Sequence, residues 1–255
     1  MKSLSIKKFL TEIGDIGRFT GRFFVEAFTP RYEFSELLRQ CYFIGYKSVA
    51  LVVITAFIMG LVITIQSRPT LVEFGAEAWL PKMVSVSLIR EIVPVITALI
   101  CAGKIGSGIG AELGSMKVTE QIDAMEVSGT NPFKYLIATR VMATTLMIPI
   151  LAILADAVSL YGAFLGTNIR GVVSWNLYWN QVFDTFSFGD IIPSIVKTFF
   201  FGFAIGIIGC YKGYNSSKGT EGVGHSANSA VVISSLLVFI LDLLAVQITD
   251  LLNLT

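Results

Sequence analysis

The sequence predicts an all-α integral membrane protein: an N-terminal amphipathic interfacial helix, five transmembrane helices and a short cytoplasmic helix between the second and third spans. Composition is the first sign. Hydrophobic residues fill 54% of the 255 positions and charged residues only 15%; with Tyr left out and Gly counted the apolar share is about 60%, against about 45–50% apolar and about 25% charged in soluble domains on that definition. The second sign is a set of five long apolar runs. The third is an amphipathic start too charged to cross a bilayer. A net charge of +1 gives no case for nucleic-acid binding, which wants a strongly basic face. The expected organisation is one membrane domain over 1–255, with an interfacial region at 1–46 and a five-helix bundle at 47–251.

At the N-terminus, Ile6, Phe9, Leu10, Ile13, Ile16, Thr20, Phe23, Phe24 and Ala27 recur at three- and four-residue steps, with Lys7, Lys8, Glu12, Asp15, Arg18, Arg22 and Glu26 between them. That pattern is a helix lying in the cytoplasmic interface or packing on a soluble partner. The first 30 residues carry charges throughout. They lack the unbroken apolar core of a cleaved secretory signal.

The five runs are 48–67, 83–108, 141–169, 191–211 and 230–249. A hydrocarbon core of about 30 Å takes about 20 helical residues. Backbone polar groups in lipid find no water, so each run should be helical. Of the 19 Lys and Arg, 14 fall in 1–47, 104–140 and 212–229. Only Arg68, Lys82 and Arg170 lie in the opposite connections, and Arg90 and Lys197 are inside spans. The positive-inside rule then puts the N-terminus in the cytoplasm and the C-terminus outside. Aromatic residues in 171–188, among them Trp175, Tyr178, Trp179 and Phe183, fit an interfacial belt. The Gly/Ser/Asn-rich stretch 212–229, with the single His225, reads as a mobile cytoplasmic link.

Catalytic signatures are absent. There is no G-x-x-x-x-G-K-[ST] phosphate loop, no serine elbow and no HExxH, so the chain is not expected to be an enzyme or to hydrolyse ATP itself. The segment Gly106-Ser-Gly-Ile-Gly110 follows an apolar helix rather than a strand, so it is not a dinucleotide turn. Cys41, Cys101 and Cys210 are widely spaced, which suits small apolar fillers; no metal site and no bound cofactor are expected.

Three features of the spans could bear function. Ala98, Ala102, Gly106, Gly110 and Gly114 repeat every four residues in the second span, a face that lets helix backbones approach closely. Gly202 and Gly206 repeat this in the fourth span, and Pro94 can kink the second. The second feature is intramembrane charge: Arg90, Glu91, Lys197 and Asp242. Each costs about 2.5–3.5 kcal/mol in mid-bilayer, so such groups face protein or a cavity. Arg90, Lys197 and Asp242 all fall about 10 Å inside the outer boundary, counted at about 1.5 Å per residue. They form either a structural ion-pair cluster or a polar ring in an outward cavity that meets a charged head group. Asp156 lies deeper, capping a neighbour or lining the path. The third is the cytoplasmic stretch SMKVTEQIDAMEVSGTNPFKYL. Thr119 can N-cap a helix there, Gly129 fits its C′ position, and Asn131-Pro132 stops it. It reads as an interfacial connector or as a docking helix for a cytoplasmic partner.

REIVPVITALICAGKIGSGIGAELGSMKVTEQIDAMEVSGTNPFKYL, residues 90–136, closely resembles the permease subunits of MCE-associated (Mla-type) lipid ABC transporters. Length, span number and amphipathic N-terminus fit the same family. Asp123-Ala124-Met125 followed by Gly129 also resembles the E-A-A-x-x-x-G loop of ABC importers, departing by Asp for Glu and Met for the second Ala. The resemblance implies a homodimeric permease in the bacterial inner membrane that moves phospholipid between inner and outer membranes. Its implied partners are a cytoplasmic ATPase that binds the ATP, a periplasmic MCE ring and, in some members, a STAS-like small subunit. It makes Glu120, Gln121, Ile122, Asp123, Ala124 and Met125 the ATPase-coupling helix. Arg90 and Glu91 match the family's polar pair, and Lys197 and Asp242 its other charges near the lipid cavity. Two rivals stay open on the residues: a proton- or ion-coupled secondary transporter with Asp156, Glu91 and Asp242 as a relay, and a non-transporting membrane scaffold of a periplasmic complex.

Overall fold

The structure is a computed structural model that describes residues 2–27, 29, 33–169, 171, 173–186 and 188–252, without the side chains of 2–9 and 188. Arg31 and Arg170, both used in the charge asymmetry, lie outside the described residues, as do the side chains of Ile6, Lys7, Lys8 and Phe9. Among the described residues there is no strand. The helices are α1 (Lys2–Ala27), α2 (Phe34–Glu73), α3 (Glu77–Val118), α4 (Gln121–Val127), α5 (Phe133–Asn168), α6 (Trp175–Phe183), α7 (Phe188–Tyr214) and α8 (Thr220–Leu251). α2, α3, α5, α7 and α8 are long and apolar enough to cross a membrane. The protein is thus an all-α integral membrane protein.

These helices outrun the apolar runs of the sequence. α2 begins at Phe34 and reaches the apolar stretch through a π-helical turn, Tyr42–Tyr46. Its polar first segment is helical because Glu36 and Gln40 are buried and bonded to each other, Gln40 Nε2 to Glu36 Oε1 at 2.7 Å. The largest departure is at 212–229. Instead of a mobile link, most of it is the last turn of α7 and the first turns of α8, joined over 215–219 with Gly219 at φ +93°. Small residues are poor helix formers in isolation, but here they let helices touch. An added Cβ at Gly110 of α3 would lie 3.3 Å from Ala227 Cα and from the Ser226 carbonyl of α8. His225 therefore sits on a helix, its Nδ1 3.4 Å from Ser229 Oγ.

The chain divides into two compact units. The first comprises Met1–Ile44, Ala102–Thr144 and Phe203–Leu236. Here the small-residue face of α3 packs on α7 and α8: Gly106 against Ile205 and Ser234, Gly114 against Ser216 and Val223. The contact is reciprocal, because Gly209 and Gly213 of α7 lie on the α3 backbone at Gly106 and Gly110. Ala102 is fully buried. α1 packs in the same unit, with Phe19 5.0 Å from Phe133 and 5.5 Å from Tyr211, and Phe23 5.7 Å from Phe203, by ring centroids. The Arg22 guanidinium lies 4.3 Å over the Phe133 ring. Leu10, Ile13 and Val25 of α1 stay exposed.

The second unit comprises Gly45–Cys101, Thr145–Gly202 and Leu237–Thr255. α2 and α5 cross at mutual glycines, Gly60 on the Ser159 backbone and Gly162 on the Phe57 backbone. Side chains there would hold the two helices apart. The aromatic stretch forms α6, N-capped by Ser174, whose Oγ accepts from Leu177 N at 3.3 Å. Tyr178 is buried and donates to the Leu160 carbonyl at 3.1 Å. Burial also raises its phenol pKa.

The close approaches make a direct test. A methyl at Gly213 would stand 2.7 Å from Leu113 Cβ and 2.9 Å from the Gly110 carbonyl. Gly213→Ala should therefore destabilise by about 1–3 kcal/mol through overpacking. At Gly17 of α1 nothing lies within 4 Å of the added methyl, so Gly17→Ala should be neutral or stabilising by up to about 1 kcal/mol. Thermal unfolding of the purified protein in detergent separates the two: a lowered midpoint for Gly213→Ala only.

Candidate functional site

The intramembrane charges meet within the second unit. Arg90 and Glu91 occupy a π-helical turn of α3, Leu88–Ile92. The wide register is visible in the backbone, where Val93 N–H donates to the Leu88 carbonyl, five residues back. The next donor in that register would be residue 94, aimed at the Ile89 carbonyl, but Pro94 has no N–H. Ser194 of α7 fills the gap, its Oγ donating to the Ile89 carbonyl at 2.6 Å. A proline, a widened turn and a buried serine thus fix how α3 presents its polar pair to α7.

Asp190, Ser194 and Lys197 share one face of α7 at i, i+4 and i+7. Asp190 takes Arg90 Nε at 2.6 Å, and Arg90 Nη2 reaches the same carboxylate oxygen. Lys197 is 5% exposed and bridges two helices, donating to Glu91 Oε2 of α3 at 2.8 Å and to Asp242 Oδ1 of α8 at 2.9 Å. All four charges singled out in the sequence are ion-paired, in two neighbouring clasps: Arg90 with Asp190, and Lys197 with Glu91 and Asp242. Asp190 was missed, because it sits one residue outside the apolar run. Its spacing to Lys197 was the available signal.

The groups carry two positive and three negative charges. Beside them is a cavity of about 40 Å³, lined also by Pro193, Ala245, Val246 and Thr249. That holds a water or two, not a lipid. Lys197 is almost wholly buried, whereas Arg90 and Glu91 are partly exposed. Asp156 of α5 keeps a buried Oδ1 without a hydrogen-bond partner and makes no bond to Lys197, Glu91 or Asp242 among the described residues.

The stretch after α3 forms the second candidate element, in the first unit. Thr119 does not cap it: its Oγ1 donates back to the Ser115 carbonyl at 2.8 Å, closing α3. Glu120 is the N-cap, in the left-handed region at φ 59°, a conformation costing about 1–3 kcal/mol for a residue with a Cβ. The helix itself runs Gln121–Val127. It ends in a Schellman motif, Gly129 N donating to Glu126 O at 3.0 Å and Thr130 N to Met125 O at 3.1 Å, with Gly129 at φ +81°. Asn131 then caps α5 through Lys134 N at 3.2 Å. Ile122 is its one buried residue and Lys117 Nζ holds Asp123 Oδ1 at 2.8 Å. Asp123, Ala124 and Glu126 face outward, and Val127 is 91% exposed.

Five spanning helices, an intramembrane ion network and a projecting, tethered helix define a class: a multi-pass membrane permease. The family model described as Permease MlaE matches residues 37–248. A "Probable ABC transporter permease protein" of Rickettsia typhi is 38% identical over 241 residues, 94% of this chain and 93% of that one. A protein of the same description from Synechocystis is 37% identical over 221 residues, 87% and 84% of the two chains. The "Intermembrane phospholipid transport system permease protein MlaE" of Haemophilus influenzae is 34% identical over 220 residues, 86% and 84%. The chain belongs to the MlaE permease family of ABC transporters.

The network predicts an order of severity. Lys197→Met leaves Glu91 and Asp242 facing each other in low dielectric and should destabilise by about 3–5 kcal/mol. Asp242→Asn leaves Lys197 its Glu91 partner and should cost markedly less. Thermal midpoints of the two variants in detergent check this, and equal midpoints would count against the bridging role of Lys197.

Proposed function

We propose that this chain is the permease subunit of an ATP-driven transporter that moves phospholipid between the inner and outer membranes. It works as a homodimer with a cytoplasmic ATPase and a periplasmic MCE protein, and a STAS-domain subunit is a further candidate partner. The observation that carries the reading is α4. It is a seven-residue helix with one buried anchor, two ordered ends, a side-chain tether and an apolar residue left in the open. Such a helix suits a groove on another protein. Residues Glu120 to Met125 and Gly129 are its coupling element.

The positive-inside asymmetry supports an orientation with α4 and the N-terminus in the cytoplasm and the C-terminus in the periplasm. ATP is bound and hydrolysed by the partner. Closure of two ATPases pulls on Lys117 and Ile122, and through them on α3. Arg90, Glu91, Lys197 and Asp242 form the polar part of the lipid path. Arg90 and Glu91 are its open rim; Lys197 becomes available when its acids are displaced. The phosphate group then takes the place of Asp190 or Glu91 on these cations, with Arg90 offering the matching fork. The relay reading of Asp156, Glu91 and Asp242 has less support, because two of the three are tied to Lys197.

Val127→Glu and Asp123→Lys test the coupling. Each should cut ATP-dependent transfer of labelled phospholipid from proteoliposomes at least tenfold, as expected when a docking residue worth about 2 kcal/mol is lost. Membrane insertion and thermal midpoint should stay near those of the parent. Full transfer by both variants, or transfer by the chain alone under a pH gradient, would overturn the reading.

A further inference from the structure

The exit of α4 is held by α1, within the first unit. After the turn at Gly129 the chain runs through Asn131 and Pro132 into α5. Asn131 uses both ends of its side-chain amide. Its Oδ1 accepts from Lys134 N at 3.2 Å and caps α5, while its Nδ2 donates to Glu26 Oε2 of α1 at 2.8 Å. Glu26 also lies 3.8 Å from Arg22 Nε, and Arg22 covers the Phe133 ring. Three residues after Asn131, Lys134 Nζ donates to the Thr29 carbonyl at 2.9 Å and to Thr29 Oγ1 at 3.0 Å. Thr29 Oγ1 donates in turn to the Glu26 carbonyl at 2.8 Å. The lysine thus sits at the C-terminal end of α1, where the helix dipole favours a cation.

α1 is itself fastened to α7. Lys212 Nζ donates to Glu12 Oε1, Phe19 packs on Tyr211 and Phe23 on Phe203. The chain leaving α4 is therefore joined to α7 by way of α1. Capping α5 does not require this link. An aspartate would cap as well; only the amide of asparagine caps and also donates across to Glu26. Asn131 is exposed, so its bond to α1 adds little to the stability of the fold. What it fixes is where the chain leaves α4.

We propose that Asn131 is a positioning residue for α4. With Glu26 it ties the exit of the coupling helix to α1, and through α1 to α7, so that load on α4 reaches α7 as well as α3. The proposal rests on the reading of α4 as a coupling element, but its first test reads the order of α4 in this chain alone, so the two can fail separately.

Asn131→Asp keeps the cap, removes the donor and sets two carboxylates together. The double variant Glu26→Gln/Asn131→Asp restores the bond with donor and acceptor exchanged. In the full-length chain in detergent, hydrogen exchange of the Ala124, Ser128, Gly129 and Thr130 amides should rise about threefold in Asn131→Asp and return to the parent rate in the double variant. Thermal midpoints should stay near the parent in both. Glu26→Ala breaks the same bond without touching the α5 cap and should give the same rise, so it decides if Asn131→Asp fails to fold. Unchanged exchange in the single variants, or a rise that the double variant does not reverse, overturns the clasp. With the chain reconstituted in proteoliposomes with its ATPase, lipid transferred per ATP hydrolysed should fall about threefold in Asn131→Asp and recover in the double variant. A ratio that stays at the parent value while exchange rises overturns the role in coupling. A parent complex that transfers no lipid overturns the transport reading and the load path with it, and exchange then decides the positioning of α4 alone.

Discussion

Lys197 sits between two carboxylates, one from α3 and one from α8, and is itself almost wholly buried. A charge there is tolerable only while it is paired. The pairing therefore fixes the positions of three helices in the second unit. Arg90 and Asp190 add a second clasp between α3 and α7. The backbone is arranged to serve both. The π-helical turn puts Arg90 and Glu91 where α7 can reach them, and Ser194 satisfies the carbonyl that Pro94 cannot. Each departure from regular helix is matched by a partner on α7.

The first unit is held by a different force. Its glycines contribute no apolar side chain of their own; they remove the spacing between α3, α7 and α8, so that dispersion contacts form backbone to backbone. Such an interface has little slack. It contrasts with α4, which touches the rest of the unit chiefly through Ile122 and the Lys117–Asp123 pair. The left-handed Glu120 lets the chain turn sharply from α3 into α4, and Gly129 turns it out again. Close backbone packing in the bundle thus contrasts with an α4 whose one buried residue is Ile122.

Much of this could be read in the residues, and the failures have physical causes. Apolar runs located every span, because length and hydropathy are what a bilayer selects. They missed where helices end, because Glu36 and Gln40, or Ser226 and Ala227, are covered by the chain itself rather than by lipid. Gly129 was legible, since a C′ position selects glycine directly. Thr119 was not: a threonine hydroxyl can bond forward as a cap or backward to the preceding turn, and only tertiary geometry decides. Lys197, Glu91 and Asp242 stood out as charges in apolar surroundings, but their pairing needs three-dimensional proximity. Asp190 at a helix start resembled an ordinary N-terminal acid, and only its bond to Arg90 gives it a place in the network.

The balance of charge in that network constrains any lipid path through it. With three acids to two bases and about 40 Å³ of space, the resting arrangement repels a phosphate and cannot enclose one. On the proposed reading a phospholipid would gain Arg90 or Lys197 only as a carboxylate gave it up, and the displaced acid would then need water or a proton in compensation. In low dielectric each half of that exchange is unfavourable alone, so the closed state should persist until work is done on the helices. Nothing in the network supplies that work: its members are mutually satisfied and it holds no motif that binds a nucleotide. What the chain does offer is α3, which carries Arg90 and Glu91 on its π-helical turn and leads directly into the tethered α4. Among the described residues α3 thus connects the ion network to the exposed helix α4, the arrangement that the proposed drive by a partner protein would use.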